Sequence, residues 1–206
     1  MKKIIGQTFY LNEDVLALSK ALLGKVLVTK LDNTLTSGII VETEAYNGVS
    51  DRASHAYNNR RTARTETMYA KGGVAYIYLC YGMHHLFNIV TGAKDNPQAI
   101  LIRAIEPLDG IPIMLKRRQQ KKLSYRLTAG PGVLCEALGI SRKLDGVSLR
   151  KASPIWVEDR GILISESEII ASPRIGIDYA KEHKDLPWRF SVRNNPWTSK
   201  SKNKVK

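Results

Sequence analysis

The chain has 206 residues, 43% of them hydrophobic, which is enough to bury a real core in one domain or a tight pair. Lys and Arg outnumber Asp and Glu by 32 to 19, giving a net charge of +13 and a pI near 9.8. Such an excess favours a polyanionic partner, nucleic acid first and an anionic membrane surface second. The start, Met1-Lys-Lys-Ile-Ile-Gly6, lacks the apolar run of a signal peptide, and no later stretch could span a bilayer. The two cysteines, Cys80 and Cys135, lie far apart among apolar neighbours and read as free thiols of a cytoplasmic protein.

In chain order, Asn12 can cap a helix from Glu13 to about Leu23, which Gly24 ends. A strand over Lys25–Leu31, a turn at Asp32-Asn33 and a second strand through Glu44 form a hairpin, hence an antiparallel sheet. Residues 47–61 are polar loop, with Arg52, Arg60, Arg61 and Arg64 placed as phosphate contacts, and Thr62 caps a short helix reaching Lys71. Val74–Cys80 is a strand, Gly82 reverses the chain, and Leu86–Thr91 returns beside it, so Tyr81 and Met83 sit at a hairpin tip. Ala99–Ile105 is a buried strand with one charge inside it, Arg103, which needs a carboxylate or phosphate partner. Asp109–Lys122 reads as a helix ending in a basic run, and Gly130-Pro131-Gly132 opens another over Val133–Leu138, stopped by Gly139. Short strands and turns follow to a basic tail at 199–206, which holds four of the positive charges. The expected fold is one mixed α/β (α+β) domain over 1–198, with an antiparallel sheet and flanking helices, followed by a disordered tail.

Four histidines without Cys-x-x-Cys or His-Glu-x-x-His give no basis for a metal site, and no phosphate-binding Gly-x-x-x-x-Gly-Lys loop or Gly-x-Ser-x-Gly elbow occurs. What remains is carboxylate, aromatic rings and positive charge, concentrated between Val41 and Asn88. Strand alternation puts Glu42, Glu44 and Tyr46 on one face. That set suits general-base hydrolysis at a nucleic-acid base or sugar. Glu42, about 7 Å from Glu44 along a strand, leaves a two-carboxylate sugar hydrolase open as a rival.

Val41-Glu-Thr-Glu-Ala-Tyr46, Ser54-His55, Tyr76-Ile-Tyr-Leu-Cys-Tyr-Gly-Met83 with Asn88, and Leu101-Ile-Arg-Ala-Ile-Glu-Pro107 carry a resemblance to the alkyladenine (3-methyladenine) DNA glycosylase family. Leu127-Thr-Ala-Gly-Pro-Gly132, Pro173-Arg-Ile-Gly-Ile177 and Trp188-Arg-Phe190 extend it over roughly Gln7 to Val192. The resemblance implies a curved sheet with a protruding, DNA-intercalating hairpin and excision of a flipped, alkylated or deaminated purine. Glu44 would activate the attacking water and Arg103 would hold it. Tyr46, His55 and Tyr78 would stack the extruded base, and Asn88 would crowd the exocyclic amine of normal guanine. Tyr81, with Met83 beside it, would fill the hole in the duplex, and Arg60 and Arg64 would meet the DNA backbone. The expected partner is double-stranded DNA containing damaged purines, bound by a monomer without cofactor, metal or membrane. The alternative is a non-catalytic nucleic-acid-binding module with a fold like a formyltransferase C-terminal domain.

Overall fold

A computed structural model describes residues 2–199. Its elements are β1 (Lys3–Ile4), α1 (Gln7–Tyr10), α2 (Val15–Ala21), β2 (Val26–Leu31), β3 (Thr34–Tyr46), β4 (Val74–Cys80), β5 (His84–Thr91), β6 (Gln98–Pro107), α3 (Ile111–Arg117), α4 (Pro131–Leu138), β7 (Ile155–Asp159), β8 (Ile169–Ser172) and β9 (Arg189–Val192). One curled antiparallel sheet runs β1-β7-β2-β3-β6-β5-β4, and β9 joins β3 and carries β8. The expected mixed α/β single domain with a curved antiparallel sheet and flanking helices is what forms.

Side chains alternate across the sheet, so each strand serves two faces. Ile77, Phe87, Ile89, Ile100 and Ile102 point to the main core, where Leu18 and Leu22 from α2 and its end, and Leu134 and Leu138 from α4, cover them. The opposite face holds Tyr76, Val90 and Ala99, covered by Ala56, Met68 and Tyr69 from the long segment between β3 and β4. A third apolar group, Ala53, Ile177 and Ala180 with Tyr46 against it, closes that face from the C-terminal segment. The sheet is therefore buried on both sides at its middle, which explains why Ala99–Ile105 of β6 reads as an apolar run interrupted only by Arg103 rather than an alternating one.

Local chemistry decides most boundaries, and three differ from expectation. Helix α2 begins later, because Asp14 and not Asn12 is its cap: the Asp14 carboxylate accepts from the N–H groups of Leu16 and Ala17 at 3.0 and 2.9 Å. Asn12 instead accepts from the Asp14 N–H at 2.9 Å. The helix expected over 109–122 stops at Arg117, and Gln119 has turned to φ +51°. Two cations of the basic run point inward, Arg117 donating to the Ala137 carbonyl at 3.0 Å and Arg118 pairing with Glu136. The short helix expected after Thr62 is a 3-10 turn over Glu66–Tyr69. The Asp32-Asn33 turn forms as expected, both residues having positive φ, the two-residue turn whose twist suits a hairpin. The four lysines of the expected tail lie outside the described residues.

Sheet register builds the candidate site. Glu44 pairs with Leu101, Leu101 with Asn88, and Asn88 with Tyr76, so one cross-strand row carries these four side chains on one face. Between Ile40 and Thr43 the pairing of β3 with β6 shifts twice, leaving Val41 on one strand and Arg103 on the other without a direct partner. Such irregularities re-aim side chains. Here they let Arg103 reach both Glu42 and Glu44.

Candidate active site and nucleic-acid interface

Glu42 and Glu44 are both fully buried, yet their surroundings differ. The Glu42 Oε1 atom accepts from Arg103 Nε at 3.2 Å, Arg189 Nη1 at 2.9 Å and Ser199 Oγ at 2.8 Å, and Oε2 accepts from the Ser199 N–H at 2.6 Å. Both oxygens are committed. Glu44 Oε1 accepts from the Ile175 N–H at 2.8 Å and lies 3.2 Å from Arg103 Nη1, while Oε2 accepts only the Tyr46 hydroxyl at 2.9 Å among the described residues. Glu44 borders a cleft of about 770 Å³ and is the one acid among its described lining residues. Burial works to lower the Arg103 pKa, but Glu44 and Glu42 outweigh it and hold the guanidinium above its ordinary value. Burial and then Glu44 push the Tyr46 hydroxyl well up, so it stays protonated and donates to Glu44.

Aromatic side chains wall the cleft. Tyr46 on β3 and Tyr78 on β4 both line it, on strands separated by β6 and β5. Asn88, Ala99 and Leu101 lie between them as the floor. Tyr78 meets His55 edge to face at a centroid distance of 4.6 Å, and Tyr76, behind them, binds His55 Nδ1 through its hydroxyl at 2.8 Å. Burial, then Arg64 and Arg60, press the His55 pKa down to about 4, so the imidazole facing the cleft is neutral at physiological pH. The Asn88 amide is pinned, its Nδ2 donating to the carbonyls of Tyr76 at 3.1 Å and Leu86 at 3.4 Å. Both its donors are thereby used on backbone, which leaves the amide oxygen as its free hydrogen-bonding group.

At the tip of the β4–β5 hairpin, Met83 N–H donates to the Cys80 carbonyl at 3.1 Å around Tyr81 and Gly82, whose φ angles are +49° and +71°. Tyr81 is 84% exposed and Met83 71%, an unusual placement for large apolar groups unless something covers them. Of the four arginines in the loop, Arg52 is paired with Glu182, and Arg61 with Glu66 and Asp95. Arg60 and Arg64 make no ion pair among the described residues. They line a groove that adjoins the cleft at His55 and Tyr179. Cys80 and Cys135 are both free thiols. Among the described residues no three His, Cys, Asp or Glu side chains gather as a metal site, and no helix is long and apolar enough to cross a membrane.

Residues 8–196 match the family described as methylpurine-DNA glycosylase. The chain belongs to that family. It is 54% identical over 189 residues to a protein of Chlamydia abortus, covering 91% of this chain and 97% of the relative. A Clostridium perfringens protein is 45% identical over 203 residues, covering 95% and 98%. A Desulfitobacterium hafniense protein is 43% identical over 206 residues, covering 96% and 98%. All three are named, provisionally, as 3-methyladenine DNA glycosylases. Membership of the methylpurine-DNA glycosylase family makes the chain an enzyme that cleaves N-glycosidic bonds in DNA, and it sets aside the non-catalytic module.

The structure brings together Glu44, Arg103, Tyr46, His55, Tyr78, Asn88, Tyr81 and Arg64 around one cleft, with Met83 and Arg60 at its margins. Sequence reasoning assigned no role to Arg174, Ile175, Tyr179, Arg189 or Ser199. The Ile175 contact is a backbone N–H and has no side-chain signature. Arg189 and Ser199 reach Glu42 across more than 140 residues of chain. Ser199, placed by sequence at the head of the tail, is bound to Glu42 through both its N–H and its hydroxyl.

Proposed function

We propose that the enzyme is a monofunctional glycosylase that extrudes alkylated or deaminated purines, 3-methyladenine among them, from duplex DNA and hydrolyses the base–sugar bond with a water activated by Glu44. The observation that carries this reading is that Glu44 is the one acid among the described residues lining the cleft, with Oε2 holding a single protein donor. A water there would lie beside both the carboxylate and the sugar of a flipped nucleotide. As the purine departs with the electron pair of the N-glycosidic bond, positive charge grows at C1′ and the ring oxygen. The Glu44 carboxylate stabilises that charge and takes the proton as the water oxygen bonds to C1′. Arg103, whose Nη1 lies 3.2 Å from Oε1, orients Glu44. Glu42, with both oxygens engaged, serves to fix Arg103.

A purine alkylated at N3 or N7 carries positive charge, and stacking on electron-rich rings favours it. The neutral imidazole of His55 adds a ring without adding repulsion. The fixed amide of Asn88 has no reach to yield to a guanine 2-amino group, so part of the selectivity would be exclusion. No lysine lies among the described lining residues, so a Schiff base at C1′ has no amine to form it. Incubation with a duplex containing 3-methyladenine, hypoxanthine or 1,N6-ethenoadenine should release free base, leave the abasic strand intact, and give no adduct with borohydride. Release of no base from any of these, or a trapped protein–DNA adduct, contradicts the reading.

A further inference from the structure

Beside the cleft but not among its lining residues, Arg174 is 5% exposed and forms a two-pronged ion pair with the fully buried Asp51, at 2.5 and 2.9 Å. Its guanidinium lies between two aromatic rings, 4.9 Å from the Tyr46 centroid and 5.0 Å from that of Trp188. Arg174 Nη1 also donates at 2.8 Å to the carbonyl of Ala45, the residue between Glu44 and Tyr46. The next residue, Ile175, supplies the N–H that binds Glu44 Oε1. Asp51 in turn accepts from the N–H groups of Asn47 at 3.2 Å and Ala53 at 3.0 Å, folding the loop that leads to His55. One buried cation thus touches the backbone beside Glu44, the ring whose hydroxyl holds Glu44 Oε2, and the segment whose N–H holds Oε1.

We propose that Arg174, clamped by Asp51, Tyr46 and Trp188, is a positioning residue that fixes the orientation of Glu44 for water activation. The proposal rests on the catalytic reading of Glu44 given above. A fork-shaped guanidinium suits the place: it satisfies a carboxylate in two bonds while its faces lie flat on rings, which an ammonium does not do. Burial acts to raise the Asp51 pKa, but its bonds with Arg174 outweigh this and hold it below the ordinary carboxylate value, so the pair is ionised at neutral pH. Misplacing a reacting group by about 1 Å costs on the order of 100-fold in rate.

The test is single-turnover excision of hypoxanthine at saturating enzyme, with affinity for an abasic-analogue duplex and cooperative thermal melting measured on each variant. Arg174→Lys, and Asp51→Asn as the milder second variant, should lose roughly 10- to 100-fold in excision rate, with duplex affinity within about threefold of the parent. In a Glu44→Gln background, where there is no carboxylate to orient, adding either change should cause no further loss. Parent-like excision by folded Arg174→Lys and Asp51→Asn overturns the proposal. So does a loss of equal size in both backgrounds, which marks a purely structural role. Near-normal excision by Glu44→Gln alone sinks instead the catalytic reading on which the proposal stands, so the two failures are distinct.

Discussion

A histidine ring that must accept a cationic base cannot itself be charged, and the surroundings of His55 meet that need. In an unfolded chain a histidine takes up a proton near pH 6.5, whereas burial and two arginines delay this to about 4 in the folded protein. The folded pKa is depressed, so the stability His55 contributes is fully present above pH 6.5 and is lost as pH falls from there through about 4. Urea unfolding of the parent and His55→Gln between pH 7.5 and 4.5 should show the parent's advantage shrinking steadily below pH 6.5. A constant gap across that range would mean that His55 titrates as an ordinary histidine. The two glutamates show the same dependence of role on surroundings. They share a strand, a face and an arginine, and differ in which oxygens remain available to water.

At the scale of elements, the β4–β5 hairpin sets local backbone comfort against what its tip presents. Tyr81 adopts the left-handed region at φ +49°, which suits glycine or asparagine far better than an aromatic residue. Tyr81→Gly should therefore leave thermal stability unchanged or raise it by up to about 1 kcal/mol. The same change should slow excision from a matched duplex by roughly tenfold, because a wedge that offsets about 1.4 kcal/mol of lost stacking is gone. In a mismatched duplex, already weakly stacked and paired, the defect should be smaller. Equal losses in the two duplexes would remove the wedge role. This hairpin and the Asp32-Asn33 turn were legible from sequence, because turn residues and two-residue alternation are local signals, whereas the three-strand row of Glu44, Leu101 and Asn88 depends on long-range pairing of β3, β6 and β5 that no local signal encodes. The end of α3 was not, since the run after Lys116 has good helix propensity and tertiary bonds from Arg117 and Arg118 to α4 decide where the helix stops. Arg103 announced a partner by its charge within an apolar strand, but only the paired shifts in β3 and β6 reveal that it has two.

Across the whole molecule, charge and curvature act together. The sheet is covered on both faces, and the cleft opens where the cover leaves a gap between the 47–71 segment and the 173–188 segment. These segments lie more than a hundred residues apart in sequence, and their meeting at Glu44 through Ile175 and at Asp51 through Arg174 is a tertiary fact that no motif spacing encodes. The chain's net charge of +13 supplies a general attraction for a duplex that no single contact provides. If about five or six phosphates are neutralised, the logarithm of the DNA association constant should fall with that of salt at a slope of about −5. Deleting residues 200–206 should flatten the slope slightly and leave single-turnover chemistry alone. A slope near zero would contradict binding through the phosphate backbone.

Single-turnover excision of hypoxanthine by Glu44→Gln and Glu42→Gln, with binding measured on an abasic-analogue duplex, separates the two carboxylates most directly. Glutamine keeps the shape and removes both the charge and the proton acceptor. Glu44→Gln should bind the duplex normally and lose at least about 100- to 10,000-fold in base release, the range of general-base catalysis before any charge stabilisation is added. Glu42→Gln should lose far less in rate and show its effect mainly in stability, through Arg103, Arg189 and Ser199. Near-normal excision by Glu44→Gln, or an inactive Glu42→Gln that still binds the duplex, would contradict the assignment of the water-activating role to Glu44.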